Sequence, residues 1–240
     1  SATGSESTNR VTLSGTTISG GSAAASVQEN IATSVGAVLS NSDATLTIAN
    51  TTNDAVAAID GNAQQAVATG MTAANTLSAD ATTLTLGTGS ASLSTTSSAT
   101  SNAFGSALVS STQLSDAASP VTASNSSAGV TLSVSDASGT STDSSFSVTG
   151  NTQQAAATAM NADNAITLSG TTVGSGVGAI NAQQSNGTVG ATTTGGAALN
   201  VAASAAGSEV DLSGNRLQAY ANSATTTNSV NVTATTVSVV

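Results

Sequence analysis

The chain repeats one short sequence three times, and two of the copies lie near its two ends. The copies read NRVTLSGTTISGG at 9–21, NAITLSGTTVGSG at 164–176 and NSVNVTATTVSVV at 228–240. Each has an Asn, then alternating aliphatic residues, then a small residue, Thr-Thr and Ile or Val. Because repeated segments build equivalent units that stack on one another, this feature restricts the fold to repetitive architectures.

A longer repeat surrounds these copies. The segments Gly61–Leu77, Gly150–Ile166 and Gly214–Val230 each place two Asn thirteen residues apart. Weaker copies begin near Val27 and at Asn181. The starts near 28, 62, 151, 181 and 215 predict a unit of about 30 residues, in which the interval of 89 residues counts as three units. Two such units would then be hidden between about 91 and 150.

Alternating apolar and polar residues predict short, half-buried strands. The alternation is clear in ATLTIA (44–49), TTLTLG (82–87), VTLSVS (130–135), SFSVTG (145–150) and EVDLSG (209–214). Pairs such as Ser-Gly, Asp-Gly and Gly-Gly separate these runs as tight turns do. The segment Asn62–Thr69 also alternates and is interpreted as a strand, with a short helical turn as the alternative because Ala and Gln favour helix.

These patterns predict an all-β fold, a β-solenoid-like body of about 30-residue units. A β-sandwich or an irregular antiparallel barrel is the alternative. We expect one elongated domain over 1–240, with terminal strand segments at 1–21 and 228–240. The Asn residues that precede each aliphatic strand are expected to stack as a ladder or to cap turns, with simple turn propensity as the competing explanation. They are Asn9, Asn75, Asn164 and Asn228.

The composition excludes several classes of function. The net charge is −10, and the only cationic side chains are Arg10 and Arg216, so nucleic acid is not an expected partner. No run of about 18 apolar residues exists, so membrane insertion is not expected either. Without Lys, the chain offers trypsin-like proteases few sites, which favours an extracellular location.

The chain is not expected to be an enzyme or to hold a cofactor. It has no His, Cys or Lys, so the commonest bases and nucleophiles are missing. Calcium is the one cofactor that the acidic residues leave open. Its weak candidates are the pairs Asp54 with Asp60 and Glu209 with Asp211, although turn formation is the simpler explanation for these side chains.

The two ends of the chain predict self-association. Repeat proteins normally cover their terminal units with polar caps, whereas here the last segment carries valines without a charged residue and the first offers Val11 and Leu13 in the same sequence context. Head-to-tail contact between such ends does not close and therefore makes a fibre. The predicted contact residues are Val11, Leu13 and Ile18 in the first segment and Val230, Val232, Val237 and Val239 in the last.

The run Asn62-Ala-Gln-Gln-Ala-Val-Ala68, its continuation to Asn75 and its copies resemble secreted bacterial repetitive β proteins, such as curli fibre subunits and holdfast-anchoring surface proteins. This resemblance implies an extracellular filament or cell-surface fibre made of copies of this chain. The alternative is a binding module that contacts a surface or matrix component: an adhesin stalk, a phage fibre segment or an ice-binding solenoid. The Thr-x-Thr pairs at 45–47 and 83–85 motivate the last of these.

Overall fold

The computed structural model describes residues 1–49, 54–85, 90–94, 100–104, 107–134, 143–174, 176–201 and 207–238. Within these ranges every regular element is a β-strand, which confirms the prediction of an all-β chain for this part. The strands are β1 (Ala2–Ser19), β2 (Ser22–Asn30), β3 (Val35–Ser40), β4 (Ala44–Ile48), β5 (Val56–Asp60), β6 (Ala63–Thr85), β7 (Ser90–Ser94), β8 (Thr100–Phe104), β9 (Ala107–Ser115), β10 (Val121–Val134), β11 (Ser145–Thr149), β12 (Thr152–Gly174), β13 (Val177–Ser185), β14 (Val189–Val201), β15 (Glu209–Ser213) and β16 (Arg216–Ser238).

Four parallel sheets contain nearly all of these strands, and we name them in the order in which the chain visits them. Sheet A has the order β1-β6-β12-β16, and sheet B the order β2-β9-β13. Sheet C places β3 and β4 beside β10, with β14 on the other side, and sheet D has the order β5-β11-β15. Strands β7 and β8 make the only antiparallel pairing among the described residues, so the antiparallel barrel is not the arrangement found there.

The chain passes through sheets A, B, C and D in turn and then returns to sheet A. The first pass is β1 to β5, the second β6 to β11, the third β12 to β15, and β16 is the fourth strand of sheet A. Asn9 pairs with Asn75, Asn75 with Asn164, and Asn164 with Asn228, so neighbouring strands of sheet A are 66, 89 and 64 residues apart.

The predicted period of about 30 residues is therefore wrong. The interval of 89 residues is a single return to sheet A, lengthened by the segment that carries β7 and β8. The weaker copies misled the count because they lie in another sheet. Gln28 pairs with Gln113, and Gln113 with Gln183, all in sheet B.

The core is narrow. Its inward-facing side chains stack in columns from one pass to the next. Val11, Leu77, Ile166 and Val230 form one column of sheet A, and the next inward position gives a second column, Leu13–Ala79–Leu168–Val232. Leu77, Ile166 and Leu168 are fully buried. Full burial of an aliphatic side chain of this size contributes about 1.5–3 kcal/mol, so the inner columns hold the passes together.

The turns that join one pass to the next are built from a Gly-Asn pair. Gly61, Gly150 and Gly214 have φ of 65°, 64° and 65°, in the left-handed region that favours glycine. Each precedes an Asn that lies immediately before the next strand of sheet A. The described ranges contain no helix, and hence none long and apolar enough to cross a membrane.

Candidate functional site

A ladder of Asn side chains crosses the whole of sheet A. The amide nitrogen of Asn9 donates to Asn75 Oδ1 at 2.9 Å, that of Asn75 to Asn164 Oδ1 at 3.0 Å, and that of Asn164 to Asn228 Oδ1 at 3.2 Å. Asn75 and Asn164 are fully buried, whereas Asn228 is exposed. Every hydrogen bond of the ladder runs in one direction, from the earlier pass to the later one.

Sheet B supplies further hydrogen-bond partners for the Asn ladder. Ser111 accepts from Asn75 Nδ2 at 2.7 Å and donates to Asn164 Oδ1 at 3.0 Å. Asn181 Oδ1 accepts from Asn164 Nδ2 at 2.8 Å. The backbone oxygens of the adjoining sheet B residues complete the set by accepting from Asn9, Asn75 and Asn164; they belong to Ala25, Ser110 and Ile180. The ladder thus satisfies buried amides that would otherwise be costly.

These four Asn lie inside strands and not at the turns where the sequence placed them. The turn position belongs to the other Asn of each repeat. Asn62 Nδ2 donates to Asn151 Oδ1 at 3.0 Å, and Asn151 Nδ2 donates to Asn215 Oδ1 at 2.9 Å. The constant separation of thirteen residues therefore marks two ladders on one strand, one at its start and one inside.

A third ladder consists of Gln28, Gln113 and Gln183 in sheet B. Gln113 Nε2 donates to Gln28 Oε1, and Gln183 Nε2 donates to Gln113 Oε1, both at 2.7 Å. Sequence reasoning missed this ladder, although the weak copies near 28 and 181 carried two of its members. Gln113 lies in the sequence SSTQLS, which shows no trace of the repeat.

The outer strands of the first and last passes carry the exposed apolar side chains. The exposed large hydrophobic residues in the described ranges lie on these strands, apart from Ile31, which follows β2: Val27, Ile31, Val38, Leu46, Val56, Val210, Leu212, Leu217, Tyr220, Val230 and Val237. On β15 and β16 most of them belong to inward-facing columns. Val210 pairs with buried Phe146, and Val230 with buried Ile166, yet their own exposed fractions are 52% and 48%.

The structure places the predicted contact residues on the two edge strands of sheet A. Val11, Leu13 and Ile18 are half-buried on β1, and Val232 is half-buried on β16. Val237 shares a column with Ile18, through Leu84 and Val173. Val239 lies outside the described residues. The predicted residues thus occupy the same three columns at opposite edges of the sheet.

The ends of the Asn ladder are complementary. At the β16 edge, Asn228 Oδ1 accepts from Asn164 and Asn181, while Asn228 Nδ2 has no partner among the described residues. At the β1 edge, Asn9 Nδ2 is occupied, and Asn9 Oδ1 has no partner in the same ranges. One edge therefore offers a donor and the other an acceptor at the same register position.

A cavity of about 290 Å³ opens beside the last strands. Its lining includes Gln153, Leu212 and Leu217. The Gln153 side chain is 1% exposed, and its Nε2 atom has no hydrogen-bond partner within the part of the chain that the structure describes. The register equivalent of Gln153 in the second pass, Gln64, donates to the backbone oxygen of Ser42.

The acidic residues are dispersed. No group of three or more His, Cys, Asp or Glu side chains is found within the described ranges. Asp60 Oδ1 accepts from Thr149 Oγ1 at 2.6 Å, and Asp54 has a left-handed backbone with φ of 52°. Glu209 and Asp211 lie two residues apart on the exposed strand β15. Calcium binding stays a prediction.

One acid joins two passes. Asp116 follows β9, and its Oδ1 accepts from Ser119 Oγ at 2.6 Å and from the Ala118 backbone N–H at 3.1 Å, while Ala32 in the first pass donates at 3.3 Å. The Ser119 hydroxyl lowers the pKa of Asp116, aided by the two backbone donors and opposed by partial desolvation. The Asp116 carboxylate thus acts as a turn former.

The Thr-x-Thr pairs do not share a face. Thr45 and Thr47 lie on β4 in sheet C, whereas Thr83 and Thr85 lie on β6 in sheet A.

No protein-family model, curated protein or solved structure matches this chain.

Proposed function

We propose that the protein is a structural subunit of an extracellular bacterial filament or surface fibre, with a β-solenoid body and no enzymatic activity. Copies of the chain associate head to tail, and a terminal strand of one copy completes a sheet of the next. The observation that carries this proposal is the match between the two edge strands of sheet A. They run in the same direction and carry the same columns at opposite edges.

The edge chemistry supports association between copies. Unpaired strand edges bind other strands unless charge, proline or a covering element protects them. Among the described residues of β16 the only charged side chain is Arg216, at the start of the strand, and β1 has Glu6 and Arg10. Main-chain hydrogen bonds would supply affinity, and alternate Val or Leu side chains would set the register.

An extracellular setting suits the composition. With two cationic side chains in the whole sequence, the chain resists trypsin-like cleavage, and its net charge of −10 repels phosphate backbones. In a fibre of this kind the main partner of each chain would be another copy of the same chain, and a surface or matrix component would be a further partner.

The test replaces inward-facing valines of β16 with charge. Val230→Asp combined with Val232→Asp would place two carboxylates in the contact columns, and we expect discrete monomers in place of filaments. The matched control is Asn231→Asp with Thr233→Asp, which adds the same charge to the outward face of the same strand and should still polymerise. Electron microscopy and sedimentation velocity read out assembly, and circular dichroism checks that strand content is retained.

Two results count against the proposal. Filaments that form equally well from the Val230→Asp/Val232→Asp variant would show that these columns are not the contact. A chain of native sequence that stays monomeric at high concentration would remove the filament role altogether.

One observation favours the alternative of a binding module. Thr17, Thr83, Thr172 and Thr236 form a column across all four strands of sheet A. A row of hydroxyl and methyl groups at the strand spacing could contact a flat target or ordered water. A discrete, monomeric particle that binds such a target would favour this function over the fibre.

A further inference from the structure

In the part of the chain that the structure describes, sheet A has one level more than the other sheets. It contains four strands at four levels, whereas sheets B and D contain three strands each. Sheet C also contains four strands but has only three levels, because β3 and β4 lie along the same side of β10. Among the described residues, strand β16 therefore has no strands of sheets B, C and D at its own level. This explains why the inward-facing Leu217, Val230 and Val237 are 50%, 48% and 47% exposed.

Simple addition of β16 to the next copy's β1 would not cover these side chains. The β2 to β5 segment of the next copy would lie at the level of its own β1, one strand beyond β16. A slot one strand wide, about 4.8 Å, would remain in sheets B, C and D at every joint. Such a slot would leave the apolar columns of β16 in contact with water.

Given the proposed head-to-tail assembly, we infer that β16 of one copy replaces β1 of the next copy on the edge of its β6. The replacement removes the surplus strand of sheet A, so that all four sheets continue without a gap. The β2 to β5 segment of the next copy then covers the inward face of β16, as it covers β1 in the separate subunit.

Strand length supports the replacement. β6, β12 and β16 each have 23 residues and share one frame, because Thr152 pairs with both Ala63 and Arg216, and Gly174 with both Thr85 and Ser238. β1 pairs with β6 from Ala68 onward. In the replaced joint β16 would pair with all 23 residues of β6 and would bring Leu217 and Tyr220 into the contact.

The hydrogen bonds of the ladder also support it. Asn9 Nδ2 donates to Ala25 O and to Asn75 Oδ1, both at 2.9 Å. Asn228 lies at the same register position, and its Nδ2 atom has no partner among the described residues. In the replaced joint Asn228 Nδ2 would bond the next copy's Ala25 and Asn75. In sheet B, the next copy's Gln28 Nε2 would reach Gln183 Oε1, in the same direction as the existing Gln bonds.

The attachment of β1 permits its release. Gly20 has φ of 106° and is followed by Gly21, so the link to β2 can adopt many backbone conformations. The side-chain column that contains Gly4 opposes the replacement of β1 by β16. A Cβ at Gly4 would come within 2.3 Å of Gly70 O, and β16 has Ser223 at the position of Gly4. We therefore expect Ser223→Gly to accelerate assembly.

The test uses disulfide formation between copies, since the chain has no Cys of its own. In a mixture of two single variants, Gln65→Cys and Gln218→Cys, replacement brings the two positions opposite each other across the joint. In a mixture of Thr12→Cys and Asn231→Cys, only addition to β1 does so. Single-site variants cannot form either bond within one copy. We expect disulfide-linked dimers from oxidised filaments of the first mixture and none from the second.

A locked variant gives an independent readout. Thr12→Cys with Ser78→Cys on one chain would join β1 to β6, because these residues pair in sheet A. Oxidation should abolish assembly, and reduction should restore it, which separates locking from misfolding. If the second mixture cross-links and the locked variant still assembles, replacement is wrong but the fibre function stands. If the native chain makes no filaments, the fibre function fails and the replacement fails with it.

Discussion

The central and edge strands of sheet A carry nearly the same sequence pattern in different surroundings. Leu77 on β6 and Ile166 on β12 are fully buried, whereas Val230 in the same column is 48% exposed. Asn164 makes side-chain hydrogen bonds on both sides, and Asn228 on only one. Position in the stack, and not residue type, therefore decides how much each side chain contributes to stability.

This difference explains how one repeated sequence can serve two purposes. In the central strands the pattern builds a core, because a neighbour lies on each side. In the edge strands it leaves the same columns and the same ladder with one side open. Matched substitutions in one column, one central and one at an edge, test whether this account is right.

The largest difference is expected in the column that contains Leu13 and Leu168. Leu168→Ala removes a fully buried side chain between Ala79 and Val232 and should lower the free energy of unfolding by about 2–5 kcal/mol. Leu13→Ala, on the half-buried edge strand β1, should cost about 1 kcal/mol. Urea unfolding of monomeric protein measures both values, and equal losses would contradict the comparison.

The strands themselves were predictable from the sequence. Alternation in EVDLSG and SFSVTG identified β15 and β11, and the repeated NxVxL pattern placed Val11, Val230 and their neighbours in equivalent positions. This succeeds because a strand with one buried face requires apolar residues at every second position. The relation between Asn9 and Asn228 was visible for the same reason.

The number of sheets was not predictable. Two residues share a side-chain column only when the chain has returned to the same sheet. The sequence interval between them is the number of residues that the chain needs for the other sheets, and insertions such as the segment that carries β7 and β8 change that number. Similar sequences also occur in two sheets, as at Gln64 in sheet A and Gln28 in sheet B. The Gln ladder escaped detection because Gln113 has lost the sequence context of its partners.

The second comparison uses two glycines of one column. A Cβ at Gly170 on β12 would lie 2.1 Å from Ala81 O, whereas a Cβ at Gly15 on β1 would meet only Thr17 O at 3.9 Å. Gly170→Ala should therefore destabilise the protein by about 1–3 kcal/mol through overpacking. Gly15→Ala should be neutral, or stabilising by a few tenths of a kcal/mol through the unfolded state.

Thermal unfolding by circular dichroism compares the two glycine variants. If Gly15→Ala lowered the stability of the protein as much as Gly170→Ala, β1 would be packed as tightly as the central strands. That result would also weaken the case for the release of β1.

The smallest difference is expected in the Asn ladder, because every member keeps some of its partners after a single change. Asn164→Ala removes the acceptor of Asn75 and Ser111 and a donor to Asn181, and should cost about 2 kcal/mol by leaving buried polar atoms unpaired. Asn228→Ala removes one acceptor of buried Asn164 Nδ2, which keeps Ile180 O and Asn181 Oδ1, and its other partner, Asn181, can bond water, so the loss in the monomer should be about 0.5 kcal/mol.

The effects of the two Asn variants on polymerisation should have the opposite order to their effects on monomer stability. In a filament Asn228 gains neighbours on its second side, so Asn228→Ala should raise the critical concentration for polymerisation while leaving monomer stability almost unchanged. Sedimentation at a series of concentrations measures that threshold for native protein and for Asn231→Ala, an outward-facing control on the same strand. An unchanged threshold for Asn228→Ala would show that the ladder stops at the edge of each copy.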